Sequence, residues 1–273
     1  MSMRNLVFCR VGERSLHGGW IGQPATRGYD VWLDCYCDPG AWVGAPAKVT
    51  DGRGTTKWPR VAELLAADPA AFERYDAVWF PDDDLAIDAG TVERFFALFH
   101  AANLALAQPA LADGCYWSHE LTLATGSFAL RYTNFVEVMA PAFSREALRA
   151  CAPSFSASRS GWGLDYAWPR VLGNPVDAIA IVDATPMVHT RPVGGGGAYV
   201  WPEAEAELRA IVERYGVPLP FRYRQFGGAK RRRDGAAGAR VGGGLPFLVR
   251  LALGAPQSQR WRAHYWKLMC ATV

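Results

Sequence analysis

Short apolar runs alternate with amphipathic stretches from residue 5 to residue 182, and this alternation restricts the fold more than any other feature of the chain. Residues 5–11, 29–36, 77–80, 104–108, 134–139 and 178–182 have the length and the aromatic or β-branched content of buried strands. Between them, residues 58–67, 88–102, 144–150 and 164–172 read as helices. Pro59 is acceptable in a first turn, Val92, Phe95, Phe96 and Phe99 recur at helical spacing, and Ser144 is placed as an N-cap. Strands alternating with helices predict an α/β domain with a mixed, mostly parallel sheet flanked by helices.

The run at 77–80 ends in Pro81 and then in three consecutive carboxylates, Asp82, Asp83 and Asp84. At about 5 Å and an effective dielectric of about 20, each like-charged pair costs on the order of 3 kcal/mol. A positive group should offset that cost, and a hard divalent cation does so well because it prefers oxygen ligands. A buried strand that delivers acids to its C-terminal edge puts them where open α/β sheets bind ligands. The plainer alternative is a solvated turn or the N-cap of the helix that follows.

Half of the 273 residues are hydrophobic, enough for a sizeable core, and eleven tryptophans and ten tyrosines serve either packing or the stacking of sugar rings. No run reaches about 18 apolar residues, so no transmembrane helix is expected, and residues 1–4 lead straight into a strand without a signal-peptide core. Six scattered cysteines show no zinc spacing; Cys35-Tyr36-Cys37 is a single pair without partners. Reduced thiols and a cytoplasmic location are the expectation. The net charge of +3 conceals an asymmetry: residues 222–273 hold 11 Lys or Arg and one acid, Asp234, whereas residues 1–221 hold 18 basic and 25 acidic residues.

The C-terminal part reads as a four-glycine hinge at 194–197, a helix at 203–215, a flexible Gly-, Ala- and Arg-rich segment at 225–244, and short helices at 245–253 and 257–269. This gives two units, residues 1–200 and a basic helical extension at 201–273. The extension, with Lys230-Arg231-Arg232-Arg233 beside an apolar stretch, suits either a peripheral contact with anionic lipid or a solvated segment packed on the acidic body; nucleic acid binding is not expected.

Other acids and one histidine fall near predicted strand ends. In Ser160-Gly161-Trp162-Gly163-Leu164-Asp165, two glycines allow close backbone approach, and Asp165 opens a helix, where the macrodipole alone would also favour an acid. Glu137 lies on an apolar stretch, either as a functional acid or as a paired structural one. His189 follows the last predicted core strand; such a histidine is either structural or a metal ligand. Arg10 and the loop at 11–19, Asp34 and Lys57 are placed to touch a nucleotide, or are surface charges. No GxGxxG or Walker pattern is present, and the glycines at 194–197 are wrongly placed for a dinucleotide fingerprint.

Taken in order, Lys57-Trp58-Pro59, the stretch from Tyr75 to Leu85, Gln108-Pro109-Ala110-Leu111, the stretch from Phe135 to Pro141 with Phe143-Ser144-Arg145, Gly161 to Asp165, and Val182-Asp183 through His189 resemble the domain of unknown function 707 family over residues 5–193. That family in turn resembles the GT-A-fold, Rossmann-like nucleotide-sugar glycosyltransferases. The resemblance implies an Asp-any-Asp motif, with Asp82 and Asp84 as metal ligands, Asp84 the direct one, and Asp83 between them near the donor. It implies His189 as a third ligand to Mn2+ or Mg2+, Asp165 as the base toward an acceptor hydroxyl in an inverting reaction, and Glu137 as a second acid. The cation would stabilise charge on the departing diphosphate. The expected function is transfer of a sugar from a nucleoside diphosphate to a glycan or lipid-linked acceptor. The alternatives are a catalytically silent sugar- or nucleotide-binding module on the same fold, and a metal-dependent phosphohydrolase.

Overall fold

The computed structural model describes residues 3–22, 26–42, 47–192, 200–232, 234 and 236–244; the expected hinge at 194–197 and the helices at 245–253 and 257–269 lie outside them. In chain order the strands are β1 (Asn5–Val11), β2 (Asp30–Cys35), β3 (Lys48–Asp51), β4 (Ala77–Trp79), β5 (Leu85–Ala86), β6 (Leu106–Leu111), β7 (Phe128–Thr133), β8 (Ala142–Ser144), β9 (Ile179–His189), β10 (Gln225–Arg231) and β11 (Ala237–Gly242). The α-helices are α1 (Lys57–Ala67), α2 (Ala70–Glu73), α3 (Ala89–Ala101), α4 (Arg145–Phe155), α5 (Leu164–Val171) and α6 (Trp201–Arg214).

The main sheet runs β11-β10-β7-β9-β6-β8-β4-β1-β2-β3. It is parallel from β3 through β2 and β1 to β4, and β6 lies parallel to β9. The short β8 enters antiparallel between β4 and β6, and β7, β10 and β11 extend the far edge as antiparallel strands. The small β5 pairs with the end of β9, setting Leu85 opposite His189.

Alternation along the strands fills a core on each face. Val7 and Cys9 of β1, Leu33 of β2 and Trp79 of β4 face Val92, Phe95, Phe96 and Phe99 of α3, whose spacing matches the predicted stripe. Leu6, Phe8, Trp32 and Val78 face the other way, toward Trp58, Phe72, Phe143, Phe155 and Trp168. Each such buried ring contributes about 1.5–3 kcal/mol from removal of apolar surface. Two predicted helix starts rest on side-chain caps: Asp88 accepts from Thr91 N at 2.9 Å, and Ser144 from Ala147 N at 3.2 Å.

Three expectations are corrected. The sheet is mixed but not mostly parallel, because the short β8 and the β7, β10 and β11 edge make five of its nine neighbouring pairs antiparallel. Residues 134–139, predicted as a strand, form no strand; the strand is β7, just before them. Phe135 and Val136 are buried in that loop, so the apolar composition reflects loop packing, and the loop turns Glu137 into the interior. Residues 225–244, expected to be flexible, form the β10–β11 hairpin, with β10 hydrogen-bonded to β7. A Cβ on Gly228 would lie 2.5 Å from Leu130 O, so glycine there permits close strand approach rather than mobility.

Candidate active site

The C-terminal end of β4 and the turn into β5 carry the three aspartates, and each meets a different protein partner. Lys57, at the start of α1, reaches Asp82 Oδ1 with its Nζ at 2.7 Å and also donates to the carbonyls of Val138 and Met139, both at 3.0 Å. Asp83 accepts from Gly12 N at 3.0 Å and from Tyr36 Oη at 2.7 Å, and pairs with Arg191 at 3.4 Å. Asp84 Oδ2 lies 3.4 Å from His189 Nε2, a proximity imposed by the β5–β9 pairing. Much of the mutual repulsion expected of the triplet is therefore offset by side chains of the protein itself.

Asp82 keeps 44% of its side chain accessible. Its carboxyl is nevertheless pushed above the ordinary carboxylate value, first by desolvation, against the pull of Lys57, with Asp84 adding to the rise. Asp82 is thus half-buried, in contact with water on one side and packed against protein and Lys57 on the other. His189 donates from Nδ1 to the carbonyl of Tyr116 at 3.1 Å, which leaves Nε2 facing Asp84. Burial works against the charged imidazolium, but the bond to Asp84 and its charge outweigh burial and raise the pKa of His189.

Asp84 Oδ1 is buried and has no hydrogen-bond partner. An orphaned carboxylate oxygen, beside an imidazole whose other nitrogen is tied to a carbonyl, is a donor pair suited to a divalent cation. Among the described residues, no group of three or more His, Cys, Asp or Glu side chains is arranged to hold a metal. Asp84 and His189 would therefore give a divalent cation only two protein ligands and leave its other positions to non-protein oxygens. Asp82, also expected as a ligand, pairs through Oδ1 with Lys57.

Two further carboxyls are buried beside this edge. Asp165 lies in the first turn of α5, 5% exposed, and accepts from Tyr166 N at 3.1 Å. Its pKa is raised to about 8, first by burial and then by the charge of Glu137. Glu137, 7% exposed, has a buried Oε2 without a partner. Burial lifts it to about 7, with His189 opposing and Asp82 adding to the rise. The backbone before α5 explains how Asp165 comes to be there. Gly161 and Gly163 have φ of +87° and +91°; a Cβ on Gly161 would lie 2.7 Å from the Trp58 ring, and one on Gly163 would lie 3.0 Å from Leu208 Cα. Glu207 of α6 fastens the same loop, accepting from Ser160 N at 2.8 Å and Ser158 Oγ at 3.0 Å.

The structure thus brings Asp82, Asp84, Glu137, Asp165 and His189 to one end of the sheet, with Lys57 among them. Arg10 and Asp34 are placed differently. Asp34 is fully buried and bound by Thr50 Oγ1 at 2.7 Å, by Arg60 at 3.2 Å and by Arg10 at 3.3 Å. Arg10 also donates to the carbonyls of Gly52 and Thr55. These two expected nucleotide contacts are spent on each other, bracing β1, β2 and the turn after β3. Gly12 falls in the expected loop at 11–19, where its N–H binds Asp83, whereas Tyr36, Arg191, Glu207 and the carbonyl of Tyr116 were not foreseen. Their partners in the site lie 47 or more residues away along the chain, so no local pattern announces them, except that a glycine directly after β1 permits Tyr36 to approach: a Cβ on Gly12 would lie 2.3 Å from its ring.

Comparison with known proteins gives one family-model match, over less than a third of the chain, and a fold. The model of the family described as Protein of unknown function (DUF707) matches residues 129–212. That segment holds Glu137, the Gly161–Asp165 turn and His189, and it agrees with the resemblance read from the sequence. No curated protein sequence matches. Among solved structures, S. aureus TarS 1-349 in complex with UDP-GlcNAc is similar with a TM-score of 0.50 at 13% identity, over 77% of this chain and 66% of that one. This chain therefore spans just under two thirds of that structure. S. aureus TarS 1-349 and S. aureus TarS also match, with TM-scores of 0.48 and 0.49, identities of 10% and 12%, 78% of this chain in both cases, and 71% and 39% of theirs. The fold is α/β and GT-A-like.

Proposed function

We propose that this chain is a glycosyltransferase that moves a sugar from a nucleoside diphosphate to an acceptor hydroxyl, with Asp165 as the base. The observation that carries the reading is the pair of buried carboxyls, Asp165 and Glu137, held above the ordinary carboxylate range beside the Asp84–His189 edge. Burial makes Asp165 a stronger base than a solvated aspartate, which suits removal of a proton from a weakly acidic hydroxyl. The GT-A-like fold and the UDP-GlcNAc in the similar S. aureus TarS structure are consistent with a nucleotide-sugar donor.

In this reading the acceptor O–H proton passes to Asp165 as the acceptor oxygen bonds to the anomeric carbon. The bond from that carbon to the diphosphate breaks, and the nucleoside diphosphate leaves with the electron pair. Attack and departure on opposite sides make the transfer inverting. Lys57 keeps positive charge at the cleft floor, and Asp83 draws the loop after β1 toward the donor side. Asp84 and His189 would hold a divalent cation, Mn2+ or Mg2+, which when bound stabilises charge on the diphosphate. We place the chain in the cytoplasm, where the free Cys9, Cys35, Cys37, Cys115 and Cys151 stay reduced.

The test is release of nucleoside diphosphate from UDP- and GDP-sugars with Mn2+, for the natural chain and for Asp165→Asn. Turnover that falls at least about 100-fold in the variant, with donor binding kept, supports the assignment. Donor binding with equal slow turnover in both proteins would instead leave a silent binding module.

A further inference from the structure

Five aromatic side chains are well exposed among the described residues: Tyr36, Tyr116, Trp117, Trp201 and Tyr223 are 41–53% exposed, and each lies in, or packs on, a segment that carries a candidate site residue or its partner. Tyr36 binds Asp83. The carbonyl of Tyr116 holds the His189 imidazole, and Trp117 follows it. Trp201 packs edge-on against Trp162, three residues before Asp165, with ring centroids 4.9 Å apart. Tyr223 Oη meets Tyr166 Oη at 3.0 Å, directly after Asp165, and lies within electrostatic reach of both Asp165 and Glu137. The other large rings of the described residues are buried or half-buried, so the exposure of these five calls for a ligand.

The rings on the Asp165 side have polar edges arranged in order. Tyr223 Oη lies 2.9 Å from His119 Nδ1, and burial lowers the pKa of His119 to about 4, so the imidazole is neutral. A neutral ring that accepts from Tyr223 leaves Tyr166 to donate to Tyr223. Both tyrosines are thereby fixed, with Phe135 packed 5.1 Å from Tyr223 and 4.6 Å from His119 as a buried base. Flat amphipathic faces flanked by hydroxyls match a pyranose ring, which offers axial C–H groups on one face and hydroxyls at its rim. A fluid acyl chain would use neither the flatness nor the hydroxyls.

We propose that Tyr116, Trp117 and Tyr223 form a platform that stacks a pyranose residue of a glycan acceptor and turns its hydroxyl toward Asp165. The proposal rests on the transferase reading for its direction toward Asp165, but glycan binding is separable from it. Saturation-transfer NMR on the full chain with cellotetraose, maltotetraose and chitotetraose reads the platform; UDP-GlcNAc with Mn2+, in the same samples, reads the donor side. The expected result is transfer from protein to the axial C–H protons of the oligosaccharides, lowered at least fivefold in Trp117→Ala and largely restored in Trp117→Phe. Absence of transfer to all three oligosaccharides, or equal transfer in Trp117→Ala, would overturn it. So would a fluorescence change at Trp117 caused by phosphatidylglycerol vesicles but by none of the glycans. Glycan binding without any nucleotide-sugar binding would keep the platform and remove the transferase reading.

Discussion

At the scale of single residues, Asp165 joins function to a cost in stability. Its folded pKa, about 8, lies above the ordinary aspartate value of 3.8, so the folded state binds this proton more tightly than the unfolded chain does. The sign follows: the stability linked to this proton is full below the unfolded value and is lost as pH rises toward about 8. Glu137, raised to about 7, acts in the same direction. Asp165→Asn should therefore gain stability relative to the natural chain between pH 6 and 9, by an amount on the order of a few kcal/mol, while losing turnover. Urea titrations of both proteins at pH 5 and pH 9 check this; a gap that does not widen with pH would contradict the burial argument. Lys57→Ala removes the partner of Asp82 and of two backbone carbonyls, and a loss of about 1–3 kcal/mol is expected in the same measurement.

At the scale of elements, the antiparallel edge depends on one ion pair. Arg131 of β7 and Asp183 of β9 are both fully buried; the guanidinium reaches the carboxylate at 2.9 Å and also bonds Leu123 O at 2.7 Å and Gln225 of β10 at 3.0 Å. Arg131→Met strands a buried carboxylate and should cost about 3–5 kcal/mol, whereas Arg131→Met with Asp183→Leu should cost less than the sum of the single changes. A double-mutant cycle by denaturant unfolding measures this. Gly163→Ala tests the turn before α5: the left-handed backbone and the approach to Leu208 predict a loss of about 1 kcal/mol or more, together with reduced turnover from a displaced Asp165. The elements that were legible in the sequence have strong local signals: the apolar β1, β2 and β4, the stripe of α3 behind Asp88, and the Ser144 cap of α4. Residues 134–139 misled because a buried loop and a buried strand share a composition, and only pairing with β9 and β10 shows that β7 is the strand. The β10–β11 hairpin was hidden because glycines chosen for close packing look, by composition, like glycines chosen for flexibility.

At the scale of the molecule, the sheet topology assembles what the sequence left scattered. Pairing of β5 with the end of β9 joins residues 84 and 189, and packing of α6 on the loop before α5 fixes residue 165. The acids themselves were legible, since Asp82–Asp84, Glu137 and Asp165 stood out by type and by position after apolar runs. The way they are satisfied was not legible, because it is settled by contacts across the fold: Lys57 with Asp82, Arg191 with Asp83, and Arg10 with Asp34. That last pair is why two expected nucleotide contacts proved to be internal bracing. This end of the sheet thus gathers charged side chains, Lys57, Asp82, Asp84 and His189, near exposed rings such as Tyr36 and Tyr116, and in the proposed reading the first would meet a phosphorylated donor and the second a glycan.

The central claim is that a nucleoside-diphosphate sugar binds at the end of β4, against Asp84 and His189. Isothermal titration calorimetry of the full chain with UDP- and GDP-sugars, with and without Mn2+, tests it most directly, with Asp84→Asn as the control. Binding should require Mn2+ and weaken at least about tenfold in Asp84→Asn, a loss of about 1.4 kcal/mol or more. Binding of no nucleotide sugar under either condition, or binding indifferent both to Mn2+ and to Asp84, would contradict it.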